Sequence, residues 1–360
     1  MISHDSRIPV AVLGATGAVG QAFIRLLDGH PWFALVEVAA SERSVGKPYR
    51  EAARWLEGTM PADVVDRMVV ACSPDAVTAP IVFSALDSSA AGEVEPAFAR
   101  AGRLVLSNAK NFRMATDVPL VIPEVNAEHL SLLTHQRATR GWTGGIVTNA
   151  NCATTVMAVP LAPLHAAFGL TKVFAATMQA VSGAGYPGVA SLDILGNVIP
   201  FINDEEPKIE TELQKLLGAI APDASRVIDA SIMTSAHANR VPVEHGHTVC
   251  LSLGFERPPT VDQALDVLRG WRGDDVVRGL PTAAERALIV RDEVDRPQPR
   301  RDIHLGRGMA TVVGRVRPDP IFDLRLVAMS HNVVRGAAGG SILNAELMVM
   351  TGMVPGVSRL

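Results

Sequence analysis

Residues 8–27 read IPVAVLGATGAVGQAFIRLL, and this stretch decides the fold of the first half of the chain. An apolar run leads into a turn with glycines at positions 14, 17 and 20, after which apolar residues recur at helical spacing. Glycines in such a turn let the backbone approach a pyrophosphate, whose charge is favoured by the N-terminus of the following helix. The stretch therefore predicts a strand, a phosphate-binding turn and a helix, although GxxGxxG spacing alone also suits a plain tight turn.

The residues that follow repeat this alternation of strand and helix. Helix-like, alanine-rich segments such as 96–101 lie near short apolar runs. Alternation of this kind predicts a parallel sheet covered by helices on both faces. The apolar runs expected to form its further strands are 36–40, 68–71, 81–83 and 104–106.

The texture of the chain changes after residue 149. Longer strands are predicted there, separated by helices and loops, which is typical of an α+β domain with a more open sheet. The stretch 297–307 clusters Arg, Asp and Pro and is predicted to be a solvated loop, and the tail after residue 336 is predicted to be a helix. The longer strands are expected at 171–181, 248–255 and 323–329.

The bulk composition is that of a two-domain globular enzyme. A chain of 360 residues exceeds one comfortable core, and 48% hydrophobic with 19% charged residues suits a compact protein. A net charge of −4 gives no reason to expect nucleic acid or a membrane surface as partner. We see neither a signal peptide nor a membrane-spanning run. The three cysteines match no disulfide or zinc spacing, so we expect a cytoplasmic protein.

One of the three cysteines has the surroundings of a nucleophile. Residues 149–155 read NANCATT, so Cys152 lies where a loop is expected to enter an apolar helix. Backbone N–H groups at a helix start lower a thiol pKa and can hold a developing oxyanion. Cys72 and Cys250 lie in or after apolar runs and are interpreted as small hydrophobic residues.

Residues 239–248 read NRVPVEHGHT and bring together groups that suit acyl chemistry. The fork of Arg240 can bind both oxygens of a carboxylate, and a histidine can move a proton to or from the thiol. Sequence reasoning alone leaves open whether His245 or His247 is that base. Their spacing could also suggest a metal, but no third ligand stands out, so no metal is predicted.

A polar turn is expected after the second strand, where residues 41–47 read SERSVGK. Two hydroxyls and a guanidinium can hold the 2′-phosphate of NADP, whereas NAD-selective sites carry an acid for the ribose. Glu42 could serve a ribose, and the segment could also be a solvated loop. We interpret it as favouring NADP.

Long blocks of the sequence resemble the aspartate-semialdehyde dehydrogenases, in particular their archaeal and fungal-like branch. The resemblance implies NADPH-dependent reduction of an acyl phosphate, L-aspartyl 4-phosphate, to the aldehyde through a cysteine thioester. It also implies a C-terminal helix that returns to a Rossmann-like first domain, and a homodimer or homotetramer. The matching blocks are GATGAVGQ (14–21), SERSVGK (41–47), SNAKNFRM (107–114), NANCATT (149–155), QAVSGAGYPG (179–188), EEPKIETELQK (205–215), NRVPVEHGHT (239–248) and MSHNVVRGAAGGSILNAEL (329–347).

The resemblance implies a role for each matching residue. Cys152 is the expected nucleophile, His247 the acid/base and Gln179 the residue that orients the substrate. Pro207 departs from the family pattern and is expected to bias Glu206 away from helical geometry. The expected substrate residues are Arg240 for the α-carboxylate, Glu205 (or Glu206) for the ammonium, and Lys208 and Arg113, with Asn111 nearby and Lys110 as a further candidate, for the phosphate. The expected cofactor residues are Gly14, Thr16, Gly17, Ala18, Val19, Ser41, Arg43, Ser44, Ser84, Gly183 and Asn332.

Domain bounds follow from the same reading. We expect an NADP-binding domain over residues 1–150, completed by about 331–360, and a catalytic and dimerisation domain over 151–330. Similar thioester chemistry also serves reductases of malonyl-CoA, succinyl-CoA and N-acetylglutamyl phosphate, so these acyl donors remain alternatives. A non-catalytic NADP-binding scaffold is a third alternative. It is disfavoured because the four residues expected to carry the chemistry are all present: Cys152, Gln179, Arg240 and His247.

Overall fold

The first half of the chain builds a sheet of seven parallel strands, in a computed structural model that describes residues 7–358. The strands are β1 (Ile8–Leu13), β2 (Phe33–Ala40), β3 (Val69–Ala71), β4 (Ile81–Ser84), β5 (Leu104–Ser107), β6 (Leu120–Val121) and β7 (Gly145–Asn149). The helices between them are α1 (Ala18–Leu27), α2 (Tyr49–Ala52), α3 (Ala62–Val65), α4 (Ser88–Arg100), α5 (Pro123–Asn126) and α6 (Leu132–Arg140).

The order of these strands places a cleft at the end of β1. The sheet runs β3-β2-β1-β4-β5-β7-β6, so the order reverses between β1 and β4. Ligands of doubly wound sheets bind at such a reversal, outside the carboxyl ends of the strands. The apolar face of α1 explains its position, because Phe23, Ile24 and Leu27 are buried against the sheet. The predicted helix and strands of this half are confirmed.

The second half builds a mixed sheet of six strands, a separate hairpin and the helices around them. The elements of this half are α7 (Cys152–Phe168), β8 (Leu170–Gln179), α8 (Ser191–Ile194), α9 (Glu205–Leu216), β9 (Ala219–Ile220), β10 (Val227–Ile228), β11 (Met233–Arg240), β12 (His247–Phe255), α10 (Val261–Gly270), β13 (Leu288–Arg291), α11 (Pro299–Asp302), β14 (Thr311–Pro318) and β15 (Leu324–Ser330). The sheet runs β11-β8-β12-β15-β14-β13, in which the pairs β11–β8 and β13–β14 are parallel and the other three antiparallel. The hairpin consists of β9 and β10.

The last helix, α12 (Gly339–Met350), packs against the first sheet, as expected from the sequence. A π-helical turn, Val334–Ala338, leads into it. Its position is fixed by buried amides as well as by apolar packing: Asn149 Nδ2 donates to Ser341 Oγ at 2.7 Å, and Asn344 Nδ2 donates to Asn149 Oδ1 at 2.7 Å. Both chain halves therefore meet at the end of β7, immediately before α7.

One prediction about local structure is wrong. The stretch 297–307 is not a solvated loop but contains α11 and a 3₁₀ turn, Leu305–Gly308. Asp302 is buried there because the Arg296 guanidinium neutralises it, with Nε donating to Oδ2 at 2.7 Å. The strand predicted over 171–181 is confirmed as Leu170–Gln179, and the Val181 N–H beyond its end bonds to the Val243 carbonyl. Over residues 7–358 no helix combines the length and the apolar character needed to cross a membrane.

Candidate active site

Cys152 is the first residue of α7, at the end of that helix where the backbone N–H groups are free. The preceding Asn151 caps the helix: its Oδ1 accepts from the N–H groups of Ala153 at 2.8 Å and Thr154 at 3.1 Å. A cap of this kind fixes the first turn of a helix. The sulfur is therefore held at the positive end of the α7 dipole, where negative charge is favoured. This placement agrees with the sequence prediction of a loop that enters an apolar helix.

His247 begins β12 and reaches the cysteine. Its Nε2 lies 3.1 Å from Cys152 Sγ, and its Nδ1 accepts from the backbone N–H of Ala180 at 3.1 Å. Because Nδ1 accepts a hydrogen, the proton of the neutral ring must be on Nε2, facing the sulfur. Burial lowers the pKa of His247 to about 3, helped by the charge of Arg240. The ring is thus a neutral donor toward Cys152.

The sulfur itself stays protonated in the free protein. Desolvation, together with the charge of Glu205, raises the pKa of Cys152 to about 12. Arg113, Arg240 and the N–H of Ala153 act in the opposite direction. The thiolate therefore depends on the nearby cations and on the N–H donors, and any group that added positive charge at the site would favour it.

The ends of two neighbouring strands present an amide and a guanidinium side by side. Gln179 ends β8 and Arg240 ends β11, and the two residues are register partners in the parallel ladder. Both side chains are buried. Arg240 Nη1 donates to the carbonyl of Ala180 at 2.7 Å, which fixes the guanidinium beside His247. Two predicted residues that are 61 positions apart in sequence are therefore adjacent because of strand pairing.

Glu205 connects this pair to the helix cap. It begins α9 and is buried, and its Oε1 accepts from Asn151 Nδ2 at 2.8 Å and from Gln179 Nε2 at 3.1 Å. Its Oε2 accepts from Lys208 Nζ at 3.3 Å. The Glu205 carboxylate also interacts electrostatically with the Arg240 guanidinium, and the two opposite charges can bind opposite ends of a zwitterion.

The neighbouring acid has a different partner. Glu206 Oε1 accepts from the backbone N–H of Ala238 at 3.0 Å, so it ties α9 to β11. The expectation that Pro207 would bias Glu206 away from helical geometry is wrong, because both residues lie inside α9. Proline is tolerated in a first turn, where its missing N–H would have no acceptor within the helix. Of the two candidates for binding the substrate ammonium, Glu205 is therefore the one that contacts the site.

Arg113 supplies a buried cation on the other side of the cysteine. Its Nη1 donates to Glu212 Oε1 at 3.0 Å and its Nη2 donates to the carbonyl of Asn108 at 2.7 Å. It lines a cavity of about 190 Å³ together with the nucleophile. The other lining residues of that cavity include Asn151, Ser182, Gly183, Asn332 and Gly336.

Two expected phosphate residues bond outside this cavity. Asn111 is exposed and its Nδ2 donates to the carbonyl of Ser88 at 2.9 Å. Lys110 forms an exposed ion pair with Asp204, with Nζ to Oδ2 at 2.6 Å. Neither side chain has a hydrogen bond to the cysteine cluster among those described. Of the four residues expected to bind phosphate, Arg113 and Lys208 are therefore the two that the fold brings to the site.

The glycine turn after β1 packs closely against the backbone that follows β4. Gly14 has φ +69°, and a Cβ there would lie 2.6 Å from the carbonyl oxygen of Ala85, so only glycine fits. Gly17 caps α1 without a side-chain hydrogen bond, and Ala18 and Val19 line a cleft of about 430 Å³ between the two sheets. The free N–H groups of this first turn suit a pyrophosphate. Thr16, also expected there, lies half-buried in the same turn.

The polar turn 41–46 follows β2, directly beside the glycine turn that follows β1. The N–H of Ala15 donates to the carbonyl of Ala39 at 3.0 Å, which joins the ends of the two strands. Ser41 and Arg43 are exposed, while Ser44 is buried and its N–H donates to the Ser41 carbonyl at 2.8 Å. A hydroxyl and a guanidinium are therefore free at this edge for a 2′-phosphate, so the residues present fit NADP.

Three other expected cofactor residues have more specific positions. Ser84 is fully buried at the end of β4, so its side chain has no surface in the cleft. At Gly183 a Cβ would lie 2.9 Å from Arg240 Nη1, which places this glycine against the catalytic cluster. Asn332 accepts from the Gly246 N–H at 2.9 Å and donates to Ser182 Oγ at 2.8 Å, so it joins the walls of the cleft. His245, the neighbour of His247, also bonds Ser182 Oγ, at 3.0 Å.

Sequence reasoning missed four buried residues around the nucleophile. Asn151, Glu212 and Lys215 hold backbone or side chains of the site, and Gly336 lies against Cys152. A signal for two of them was present: Glu205, Lys208, Glu212 and Lys215 are spaced by three, four and three residues, which puts them on one face of a helix. A charged helix face of this kind is normally exposed to solvent, whereas this one is mostly buried.

A two-domain dehydrogenase with a cysteine–histidine contact at the start of a helix is the class of protein that this fold and site define. Known sequences agree. The model of the semialdehyde dehydrogenase NAD-binding domain matches residues 9–133, and that of the semialdehyde dehydrogenase dimerisation domain matches residues 161–335. The chain belongs to the aspartate-semialdehyde dehydrogenase family.

Individual relatives cover almost the whole chain. An aspartate-semialdehyde dehydrogenase of Archaeoglobus fulgidus is 52% identical over 95% of this chain and 98% of its own. That of Cryptococcus neoformans is 48% identical over 98% of this chain and 100% of its own. The crystal structure of the Candida albicans enzyme with NADP covers 97% of this chain and 100% of its own, with a TM-score of 0.89 at 39% identity. The expected resemblance to archaeal and fungal members is confirmed.

Proposed function

We propose that this enzyme reduces L-aspartyl 4-phosphate to L-aspartate 4-semialdehyde with NADPH, through an acyl thioester on Cys152. The observation that carries the proposal is the contact of 3.1 Å between Cys152 Sγ and His247 Nε2, flanked by Arg240 and Glu205. A sulfur nucleophile beside one cation and one anion suits a substrate with both an amino-acid end and an activated acyl carbon.

The residues of this chain divide the work around the acyl carbon. The Cys152 sulfur attacks the carbonyl carbon and gives up its proton, the acyl–oxygen bond to phosphate breaks, and phosphate leaves toward Arg113 carrying that proton. When bound, NADPH would supply the hydride that reduces the thioester. The carbon–sulfur bond then breaks, which returns the thiolate and releases the aldehyde. Because its Nε2 carries the proton, His247 donates to whichever of the sulfur and the acyl oxygen bears negative charge.

Specificity for the amino-acid end comes from opposite charges. Arg240 can bind the α-carboxylate through its fork, and Glu205 can accept from the α-ammonium. Gln179 donates to Glu205 and keeps that carboxylate aimed at the substrate. Lys208 and Arg113 supply positive charge for the phosphate. At the other end of the cleft, Ser41 and Arg43 would bind the 2′-phosphate of NADP.

The test is an assay of NADP reduction with aspartate semialdehyde, with and without inorganic phosphate. Malonate and succinate semialdehydes, and coenzyme A in place of phosphate, distinguish the other acyl donors. Cys152→Ala should abolish turnover and leave NADPH affinity near normal, whereas Cys250→Ala, on the exposed side of β12, should keep full activity. Substantial turnover by Cys152→Ala would remove the covalent mechanism.

The molecule is also expected to work as an oligomer in the cytoplasm. The matched dimerisation domain supports a homo-oligomer. We propose a homodimer or homotetramer formed through the second sheet, where Phe174, Met178 and Met233 are exposed apolar side chains. The three cysteines are free in this structure, which suits a reducing compartment. Light scattering at micromolar concentration would distinguish a dimer from a tetramer.

A further inference from the structure

A buried carboxylate lies between the nucleophile and the phosphate-binding cation. Glu212 Oε2 accepts from the backbone N–H of Asn151 at 2.6 Å, and its Oε1 accepts from Arg113 Nη1 at 3.0 Å. The Glu212 side chain is only 2% exposed, and that of Arg113 is 10% exposed. One carboxylate therefore touches both the residue before Cys152 and the guanidinium expected to bind phosphate.

Asn151 has no freedom left because of these contacts. Its N–H is held by Glu212, its Nδ2 is held by Glu205, and its Oδ1 caps the first turn of α7. Glu205 and Glu212 are seven residues apart on α9, which is two helical turns, so both carboxylates reach Asn151 from one face. The position of the first turn of α7, and therefore of Cys152, is fixed by hydrogen bonds to α9.

The same helix face also holds the backbone near Arg113. Lys215 is buried, and its Nζ donates to the carbonyls of Arg113 at 2.7 Å, Ala115 at 2.7 Å and Val118 at 2.9 Å. The main chain of the Arg113 segment and its guanidinium are thus both fixed by α9, the former by Lys215 and the latter by Glu212. Nothing in the chemistry of the reaction requires Glu212 to touch the substrate.

We propose that Glu212 is a positioning residue that sets the Cys152 thiol and the Arg113 guanidinium in one fixed geometry, so that the leaving phosphate is bound where the nucleophile releases it. The inference rests on the proposed function for the identity of the anion, and on the contacts above for the coupling. A carboxylate is needed because it accepts at both oxygens. In Glu212→Gln one end of the side chain becomes a donor and must oppose either Arg113 or the Asn151 N–H.

The experiment measures the sulfur directly, so that it does not depend on turnover. Iodoacetamide alkylation of Cys152 is followed by mass spectrometry at increasing concentrations of inorganic phosphate, and the protection gives an apparent Kd. Glu212→Gln should raise this Kd by roughly tenfold or more, as expected for the loss of one hydrogen bond to a charged group, and should change the alkylation rate without phosphate. Glu212→Asp should lie between the two proteins.

The matched control is Glu210→Gln, the same change on the same helix. Glu210 Oε1 accepts from the backbone N–H of Ala236 at 3.0 Å, away from the cysteine, so alkylation and protection should equal those of the wild type. In the enzyme assay, Glu212→Gln should raise KM for phosphate about tenfold and KM for NADP less than twofold. A purely structural role would lower Tm and shift both constants together.

Three results would overturn the inference: no protection of the wild type by phosphate, equal protection of the wild type and Glu212→Gln, or equal changes in the Glu210→Gln control. Failure of the proposed function has a different signature, because a wild type that cannot oxidise aspartate semialdehyde can still show phosphate protection that depends on Glu212. If Glu212→Gln does not fold, Glu212→Asp carries the same test.

Discussion

Gly336 lies so close to Cys152 that a Cβ on the glycine would come within 2.7 Å of the Cβ of the cysteine and 3.0 Å of its Cα. The two residues come from different parts of the chain: Cys152 starts α7, whereas Gly336 lies in the π-helical turn before α12. One wall of the nucleophile's pocket is therefore bare backbone. The width of that pocket is set by the absence of a single methyl group.

Gly336→Ala should displace the cysteine. A Cβ at this position cannot be accommodated by a flexible side chain, because the atoms it meets include the Cys152 backbone. We expect kcat/KM to fall on the order of 10²-fold, as for a misplacement of about 1 Å, with a loss of about 1–3 kcal/mol in the free energy of unfolding. The matched control is Gly270→Ala, where a Cβ meets no atom within 4 Å. Unchanged kinetics in Gly336→Ala would show that the pocket can widen.

Glu205→Gln should affect the amino-acid end of the substrate selectively. Loss of the charge facing the ammonium should raise KM for aspartate semialdehyde by roughly ten- to a hundredfold, and KM for its desamino analogue, succinate semialdehyde, much less. Glu206→Gln is the control, because Glu206 bonds the Ala238 N–H. Equal increases in KM for both aldehydes would remove the role assigned to Glu205.

Acid should destabilise the fold through its buried histidines. Desolvation lowers the pKa of His129 to about 4 and the pKa values of His247 and His331 to about 3, from 6.5. Below pH 6.5 the three histidines are protonated in the unfolded chain but stay neutral in the folded chain. Their contribution to the free energy of unfolding is therefore complete above pH 6.5 and is lost as the pH falls toward 4. The slope should reach about 4 kcal/mol per pH unit.

Denaturant titrations between pH 7.5 and 4.5 measure this slope. In His129→Gln the slope should be lower by the contribution of one proton, about 1.4 kcal/mol per pH unit. A free energy of unfolding that is independent of pH between 6.5 and 5 would contradict the burial of neutral rings.

Arg43→Ala should change cofactor preference. Since the guanidinium is exposed beside the glycine turn, its removal should raise KM for NADP about tenfold and change KM for NAD less than twofold. Glu42→Gln, in the same turn, is the matched control and should leave KM for NADP unchanged. If Arg43→Ala weakened both cofactors equally, the 2′-phosphate would have to be bound elsewhere.

Local patterns predicted what depends on neighbouring residues in the chain. The run from Ile8 to Leu27 gave the strand, turn and helix because apolar periodicity and glycine spacing act over a few residues. Cys152 stood out for the same reason. The partners of Glu212 could not be predicted, because Arg113 is 99 positions away and the charged spacing of α9 is also that of a solvated helix. The prediction of a solvated loop over 297–307 was wrong for a similar reason. The polar composition indicated solvent exposure, but the ion pair with Arg296 allows Asp302 to be buried.

The late position of Gly336 and α12 in the chain matters during synthesis. A ribosome makes the nucleophile's helix long before it makes the turn that closes over Cys152. A nascent chain that has passed residue 152 but not residue 350 lacks the helix that covers the first sheet and leaves this sulfur open to solvent. We therefore expect polypeptides that stop before residue 336 to lack one wall of the pocket around this sulfur, and so to be inactive.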